Sequence, residues 1–239
     1  HAWTGAREGA WLAYTHRMPL ATLDIHAVDR YLALGGMLGF ADGPPDFSFP
    51  IDPGDRAAAV TLLGQHGMGP DGASARPYAV LAPGAGWETK RWPPKHFGEL
   101  GRRLQADGFD VVLIGARGDT EACTGVERIA FGCANLCGAT SLGQLAALVQ
   151  GAALVVANDS GPMHLAAALS RPVVAIFGPT DPLWVGPYGQ SAAVIAAGVS
   201  CAPCYLRRMS QCPHAHVCLE GLKVTEVARH CATAPRAMA

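Results

Sequence analysis

Charge is scarce in this chain. Among its 239 residues, 18 lysines and arginines face 19 aspartates and glutamates, a formal net charge of −1. So balanced a chain offers no basic field for a polyanion, which argues against general nucleic-acid binding. Long hydrophobic runs are missing as well. None reaches the ~18 apolar residues that span a bilayer, so no membrane helix is expected. Core-forming residues are plentiful, at 50% hydrophobic against 15% charged, and disorder is not expected to dominate. The length suits one large domain or about one and a half. No signal peptide is visible, and a chain opening on His1 is expected to have lost its native start.

Cysteine is better represented, with eight in the chain, yet this is no small disulfide scaffold. Cys123, Cys133 and Cys137 fall in or near predicted core elements and read as inert buried thiols. A denser group follows: Cys201-x-x-Cys204, then Cys212 and Cys218, with His214 and His216 between. Cys-x-x-Cys with later Cys or His is the spacing of a structural zinc site. The gap between Cys212 and Cys218 is loose for a zinc knuckle, and a reduced structural loop is the favoured alternative.

From residue 77 onward strands and helices alternate. Strands are expected at 78–82, 110–114, near 135–137, 153–157, 172–177 and 192–196. Helices are expected at 93–106, 119–130, 141–150 and 162–169. Such alternation implies a parallel, doubly wound α/β sheet with right-handed crossovers. In the usual 3-2-1-4-5-6 order, strands 78–82 and 153–157 are neighbours at the topological switch point, where ligands bind beyond the strand ends.

Both of those strands end in corners that suit a phosphate. Ala153-Leu154-Val155-Val156-Ala157 runs into Asn158-Asp159-Ser160-Gly161-Pro162-Met163-His164. Ser160 is placed to cap the following helix, with Pro162 near its first position. Free amides and the positive end of the helix dipole then face one point. Asp159 and His164 add side chains for a sugar or a phosphate oxygen. After Tyr78-Ala79-Val80-Leu81 comes Ala82-Pro83-Gly84-Ala85-Gly86-Trp87-Glu88-Thr89-Lys90-Arg91-Trp92-Pro93. Gly84 and Gly86 are expected to permit close backbone approach and positive φ. Thr89 brings a hydroxyl, and Lys90 and Arg91 bring positive charge without a metal. Pro93 or Pro94 opens the next helix. An ordinary capped helix and an ordinary turn are the plain alternatives for the two corners.

The first 76 residues read differently. Helices are expected over Leu20–Leu38, carrying His26, Asp29 and Arg30, and over Asp52–His66. Asp42-Gly43-Pro44-Pro45-Asp46 reads as a turn and Gly69–Ser74 as a linker. The reading divides the chain into 1–76, the end of a first domain plus linker; 77–223, the sheet domain; and 224–239, a terminal helix and tail.

The Pro83-to-Pro93 stretch, Asn158-to-His164 and Phe177-Gly178-Pro179-Thr180-Asp181-Pro182 together resemble glycosyltransferase family 9, the ADP-heptose:lipopolysaccharide heptosyltransferases. His26-Ala27-Val28-Asp29-Arg30-Tyr31 and the cysteine stretch from Cys201 to Leu219 resemble it too, so the likeness covers residues 26 to about 230. The resemblance implies a GT-B fold: one complete Rossmann-like domain here, preceded by the remnant of a truncated first domain. It implies that Lys90 lies near donor phosphates and that Asp159 reaches the heptose hydroxyls. Gly161 and His164 match the same donor corner, and Ser160 belongs to it. Ala85 and Gly86 stand where some members carry a threonine pair, so backbone amides must replace hydroxyl contacts. Asp119, after the second strand, is placed to accept from ribose hydroxyls, with Glu121 as competitor and surface solvation as the plain alternative. Gly178, Pro179 and Thr180 are expected to wall the pocket, although Pro179 and Pro182 could simply shape a turn and Trp92 could simply pack the helix start.

The implied activity is inverting, metal-independent transfer of heptose from ADP-heptose to a lipopolysaccharide inner-core acceptor, with no cofactor and no metal. The implied setting is cytoplasmic, with peripheral contact at the inner membrane. Lys90 and the amides before Leu165 would stabilise the departing diphosphate. No residue here matches the family's aspartate base, which is expected in the first domain. A relative using another nucleotide-sugar or acceptor, and a non-catalytic nucleotide-sugar-binding fragment, are the alternatives.

Overall fold

The computed structural model describes residues 2–3, 12, 15, 17–18, 22, 24–40, 43–69, 74–190 and 194–234. Strands β1 (Ala2–Trp3) and β2 (Arg17–Met18) pair in parallel. Helix α1 (Ala27–Met37) starts later than expected, because His26 Nδ1 accepts the Val28 N–H at 3.2 Å and sets the N-cap. Leu20, Ala21 and Leu23 lie outside the described residues. Helix α2 (Pro53–Gln65) begins behind Asp52, whose carboxylate accepts the Gly54 N–H at 2.7 Å.

The alternating part follows the predicted rhythm. It runs β3 (Tyr78–Ala82), α3 (Pro94–Ala106), β4 (Asp110–Leu113), α4 (Thr120–Glu127), β5 (Ala134–Asn135), α5 (Leu142–Gly151) and β6 (Leu154–Asn158). Then come α6 (Gly161–Ala168), β7 (Val173–Phe177), α7 (Pro182–Val185) and β8 (Val194–Ala196). Helices α8 (Val217–Glu220) and α9 (Val224–Thr233) close the described chain. The helix expected over 119–130 ends at Glu127 and is preceded by a 3-10 turn, Arg117–Asp119. The four-residue helices α7 and α8 escape sequence reading because one turn shows no periodicity. Ala192 and Ala193, at the start of the expected last strand, lie outside the described residues.

The six strands β3 to β8 form one parallel sheet in the order β5-β4-β3-β6-β7-β8. This is the doubly wound order, with β3 and β6 adjacent at the switch point. β6 and β7 are buried along their whole length. Strands covered on both faces must be apolar on both, which is why they read as runs rather than alternations.

Helices cover both faces. Trp92 and, from α3, Phe97 and Leu100 pack with Leu81, Leu113 and Val156 on one side, joined by Val126 of α4 and Val227 of α9. On the other side, Leu148 of α5 and Met163 of α6 pack with Val80, Val112 and Val155. Ala59 and Leu63 share one face of α2 and enter this second core with Ile51 and Met68. Thus part of the segment read with the first 76 residues is bound into the sheet domain's core. Among the described residues, no helix is long and apolar enough to cross a membrane.

Candidate nucleotide-sugar site

The carboxyl ends of β3 and β6 place the two corners side by side, and Asn158 ties them together. Its side-chain carbonyl accepts the Trp92 N–H at 3.0 Å, while its amide donates to the Pro83 carbonyl at 2.8 Å. Asn158 is fully buried, so these bonds fix one corner against the other without competition from water.

Asp159 follows it and is 5% exposed. It does not cap α6. Its Oδ2 lies 2.6 Å from Lys90 Nζ and accepts the Thr180 hydroxyl at 2.6 Å. Three predicted site residues from three strand ends thereby meet at one oxygen. Lys90 ends the 3-10 turn Glu88–Lys90, as expected of a loop end, but its side chain is only 15% exposed. Its ammonium also lies 4.4 Å from the Trp87 ring centre, where the aromatic face attracts a cation.

Ser160 is the N-cap of α6, but its hydroxyl donates to the Asn158 carbonyl at 3.1 Å instead of capping. The first turn of α6 is therefore left without a side-chain cap. Pro162 has no N–H and the Met163 N–H donates to the Ser160 carbonyl at 3.1 Å, so the Gly161 N–H and the helix dipole are what it offers an anion. His164 stands on the first turn of α6 and shows much surface to solvent. Enough protein surrounds the ring for desolvation to pull its pKa below the ordinary histidine value. His26 and Lys90 push the same way, against Asp159. His26 itself accepts from Val28 through Nδ1 and so donates through Nε2 to the Gly186 carbonyl at 3.0 Å.

A cleft of about 550 Å³ opens beside this cluster at the carboxyl ends of β3, β4 and β6. Ala85, Gly86, Asp119, Ser160 and Gly161, all predicted site residues, line it. Asp119 Oδ2 accepts the Ala116 N–H at 3.0 Å and Oδ1 lies 3.6 Å from Arg91 Nη2. Arg91 in turn donates from Nε to the Ala85 carbonyl at 2.9 Å. Glu121 is exposed and does not line the cleft.

Neither Gly84 nor Gly86 has the positive φ expected of it. Gly84 is required by space: a Cβ there would collide with the Asp119 carboxylate. At Gly86 the same position is open. Gly178 is buried, and a Cβ on it would come within 2.8 Å of Leu219 Cγ, so close packing beneath α8 accounts for that glycine. Trp92 is buried, with Nε1 donating to the Leu222 carbonyl at 3.1 Å, and it packs the start of α3. Cys123 and Cys133 are buried and their thiol pKa values are raised by desolvation, that of Cys133 to about 11. Cys137, expected to be buried, is half-exposed, and its thiol donates to the Ala116 carbonyl at 3.1 Å.

Sequence reasoning missed the cleft's far wall. Thr140, Ser141, Leu142 and Leu145 come from the start of α5. The Ser141-x-x-Gln144 capping box marks that helix start and was a legible signal for a third corner on the same edge. The cysteine stretch does something else again. Among the described residues, no three His, Cys, Asp or Glu side chains gather as metal ligands. Its backbone and side chains instead grip the 3-10 turn that carries Lys90, through His216, Leu206 and Met209.

The model of "Glycosyltransferase family 9 (heptosyltransferase)" matches residues 1–215. The chain belongs to glycosyltransferase family 9. Lipopolysaccharide heptosyltransferase 2 of Escherichia coli is 42% identical over 182 residues, covering 70% of this chain and 50% of that protein. Lipopolysaccharide heptosyltransferase 1 of Pseudomonas aeruginosa is 35% identical over 226 residues, covering 84% of this chain and 59% of that protein. This family 9 chain thus spans about half the length of those relatives. Among solved structures, E. coli ADP-heptose lipopolysaccharide heptosyltransferase II superposes with a TM-score of 0.70 at 26% identity, covering 94% of this chain and 71% of that one. E. coli heptosyltransferase WaaC with ADP gives 0.62 at 29%, covering 95% and 62%. The α/β, GT-B architecture expected from the sequence is the one these neighbours share.

Proposed function

We propose that this chain forms the nucleotide-sugar-binding part of an inverting, metal-independent heptosyltransferase that moves heptose from ADP-heptose to a lipopolysaccharide inner-core acceptor. The observation that carries the reading is the meeting of Lys90, Asp159 and Thr180 between the glycine loop and the uncapped start of α6. The nucleoside occupies the cleft, with Asp119 toward the ribose. The diphosphate lies against Lys90 and the Gly161 end of α6, and the heptose hydroxyls reach Asp159. In the transfer, an acceptor hydroxyl oxygen bonds to the anomeric carbon and gives up its proton to a general base outside the residues assigned here, as the bond from that carbon to the phosphate oxygen breaks. The electron pair stays on ADP, where the Lys90 ammonium and the helix dipole stabilise it. That role is what a divalent cation would otherwise fill.

Relatives named for lipopolysaccharide and the family match support the acceptor class. We read the setting as cytoplasmic, with peripheral contact at the inner membrane, and a net charge of −1 offers nothing to nucleic acid. Calorimetry with ADP and ADP-heptose in excess EDTA tests the reading. Binding without metal is expected; binding lost in EDTA and restored by Mg²⁺ overturns metal independence. A panel of other nucleotide-sugars, expected to bind more weakly, tests the choice of donor.

A further inference from the structure

We infer that His216 is a positioning residue for Lys90, acting through the carbonyl of Thr89. The inference rests on the reading of Lys90 as the diphosphate contact. The turn Glu88–Lys90 is three residues long and has no side-chain cap. It closes on two backbone bonds of its own, Lys90 N–H to the Trp87 carbonyl and Arg91 N–H to the Glu88 carbonyl, each 3.1 Å, so outside contacts matter to its shape. It is held from the cysteine-rich loop, more than 100 residues away in sequence. The ring nitrogen Nε2 of His216 lies 2.7 Å from the Thr89 carbonyl oxygen. A carbonyl can only accept, so Nε2 carries the hydrogen and donates it. From the other side, the Thr89 hydroxyl donates to the Leu206 carbonyl. Beside these, the Met209 N–H donates to Glu88 Oε2 at 3.0 Å and the Arg207 guanidinium lies 4.9 Å from the Trp87 ring centre.

The Thr89 carbonyl and the Lys90 N–H share one rigid peptide plane. Holding that oxygen therefore orients the Lys90 Cα and the root of its side chain. A lysine stem is flexible, and its ammonium is placed only if both root and tip are fixed. Asp159 fixes the tip, and His216 fixes the root. His216 is built for this at some cost. It is 4% exposed, and its backbone sits in the left-handed region at φ 57 directly after Ala215 at φ 47. Non-glycine residues persist there only where packing over-determines them. As the N-cap residue of α8, His216 makes no side-chain cap, and its ring is turned to the Lys90 turn instead.

ADP calorimetry on His216→Phe, His216→Gln, Lys90→Ala and the His216→Phe/Lys90→Ala pair decides it, with thermal melting of each apo variant. Phenylalanine keeps the ring and loses the donor, and ADP affinity should fall about tenfold. Glutamine can still donate and should recover most of the loss. On the Lys90→Ala background, His216→Phe should change nothing further, because the two residues act in series. An equal loss on both backgrounds, or no loss from a folded His216→Phe, overturns the inference while the donor reading stands. Unchanged ADP affinity in Lys90→Ala alone overturns the donor reading and the inference with it. If His216→Phe does not fold, His216→Leu, smaller and likewise without a donor for the Thr89 carbonyl, takes its place in the cycle.

Discussion

At the scale of single residues the decisive group is Asp159, because two explanations of it differ in charge. A helix cap would tolerate asparagine, which caps about as well as aspartate. In the structure Asp159 caps nothing and instead holds Lys90 and Thr180. Asp159→Asn keeps an acceptor for the Thr180 hydroxyl but removes the anion beside the phosphate site. The asparagine carbonyl oxygen can still accept from the Lys90 ammonium, so the tip stays placed while the charge that competes with phosphate is gone. Affinity for ADP should then hold or rise slightly. Affinity for ADP-heptose should fall by roughly 1–3 kcal/mol if the carboxylate accepts from the heptose hydroxyls. Titrating both ligands into wild type and variant measures this, and equal changes for the two would show that Asp159 does not read the sugar.

The elements meet at the strand ends, and two substitutions probe that edge. Asn158→Leu leaves the buried Trp92 N–H and the Pro83 carbonyl without the partners that join the β3 and β6 corners. Each orphaned group costs ~1–3 kcal/mol, so a loss of about 3 kcal/mol is expected in chemical denaturation. A loss below half of that would mean water replaces the side chain. The glycine loop makes the second case. Gly84→Ala should destabilise the protein by about 1–3 kcal/mol, since its new methyl displaces the Asp119 carboxylate. Gly86→Ala meets open space and should leave the melting temperature unchanged while obstructing the cleft it lines. If both alanines lower stability alike, the space argument for Gly84 fails. The corner positions and helix starts behind these predictions were legible in the sequence from Pro83, Gly84, Pro94, Ser160 and Pro162. The hydrogen bonds of Asn158 were not, because an asparagine beside Asp159 reads equally well as a turn residue.

Over the whole molecule, histidine protonation sets the response to mild acid. His164 is pulled below its ordinary value by desolvation, then by His26 and Lys90, and His96 by desolvation and then Lys95. A histidine with a lowered folded pKa binds fewer protons folded than unfolded in the window between the two values. Stability therefore rises with pH across that window, is fully present above the unfolded value of about 6.5, and is lost as pH falls toward the folded values. Urea midpoints should be lower at pH 5.5 than at pH 7.5, and His164→Asn with His96→Asn should narrow the difference. A midpoint that rises on acidification would reverse the assigned sign.

By itself the sequence determined what depends on local pattern. Apolar runs such as Ala153 to Ala157, broken by glycine and proline corners, dictate buried parallel strands, because only a sheet covered on both faces can hide them. Once strand and helix alternate, right-handed crossovers leave few topologies, and both phosphate-like corners fall on one edge. The tertiary structure alone decided which side chains pair across that edge. Lys90 could have faced solvent, and only the docking of the β3 corner on β6 brings it 2.6 Å from Asp159. Gly84 read as a left-handed turn residue and proved to be a matter of space beside Asp119. The cysteine stretch has zinc-like spacing but read in favour of a reduced structural loop, and what the sequence did not show is that its contacts reach the Lys90 turn through His216 and Leu206. Such contacts join residues more than 100 positions apart, and no periodicity or spacing encodes them. They arise only when the folded sheet presents one loop to another.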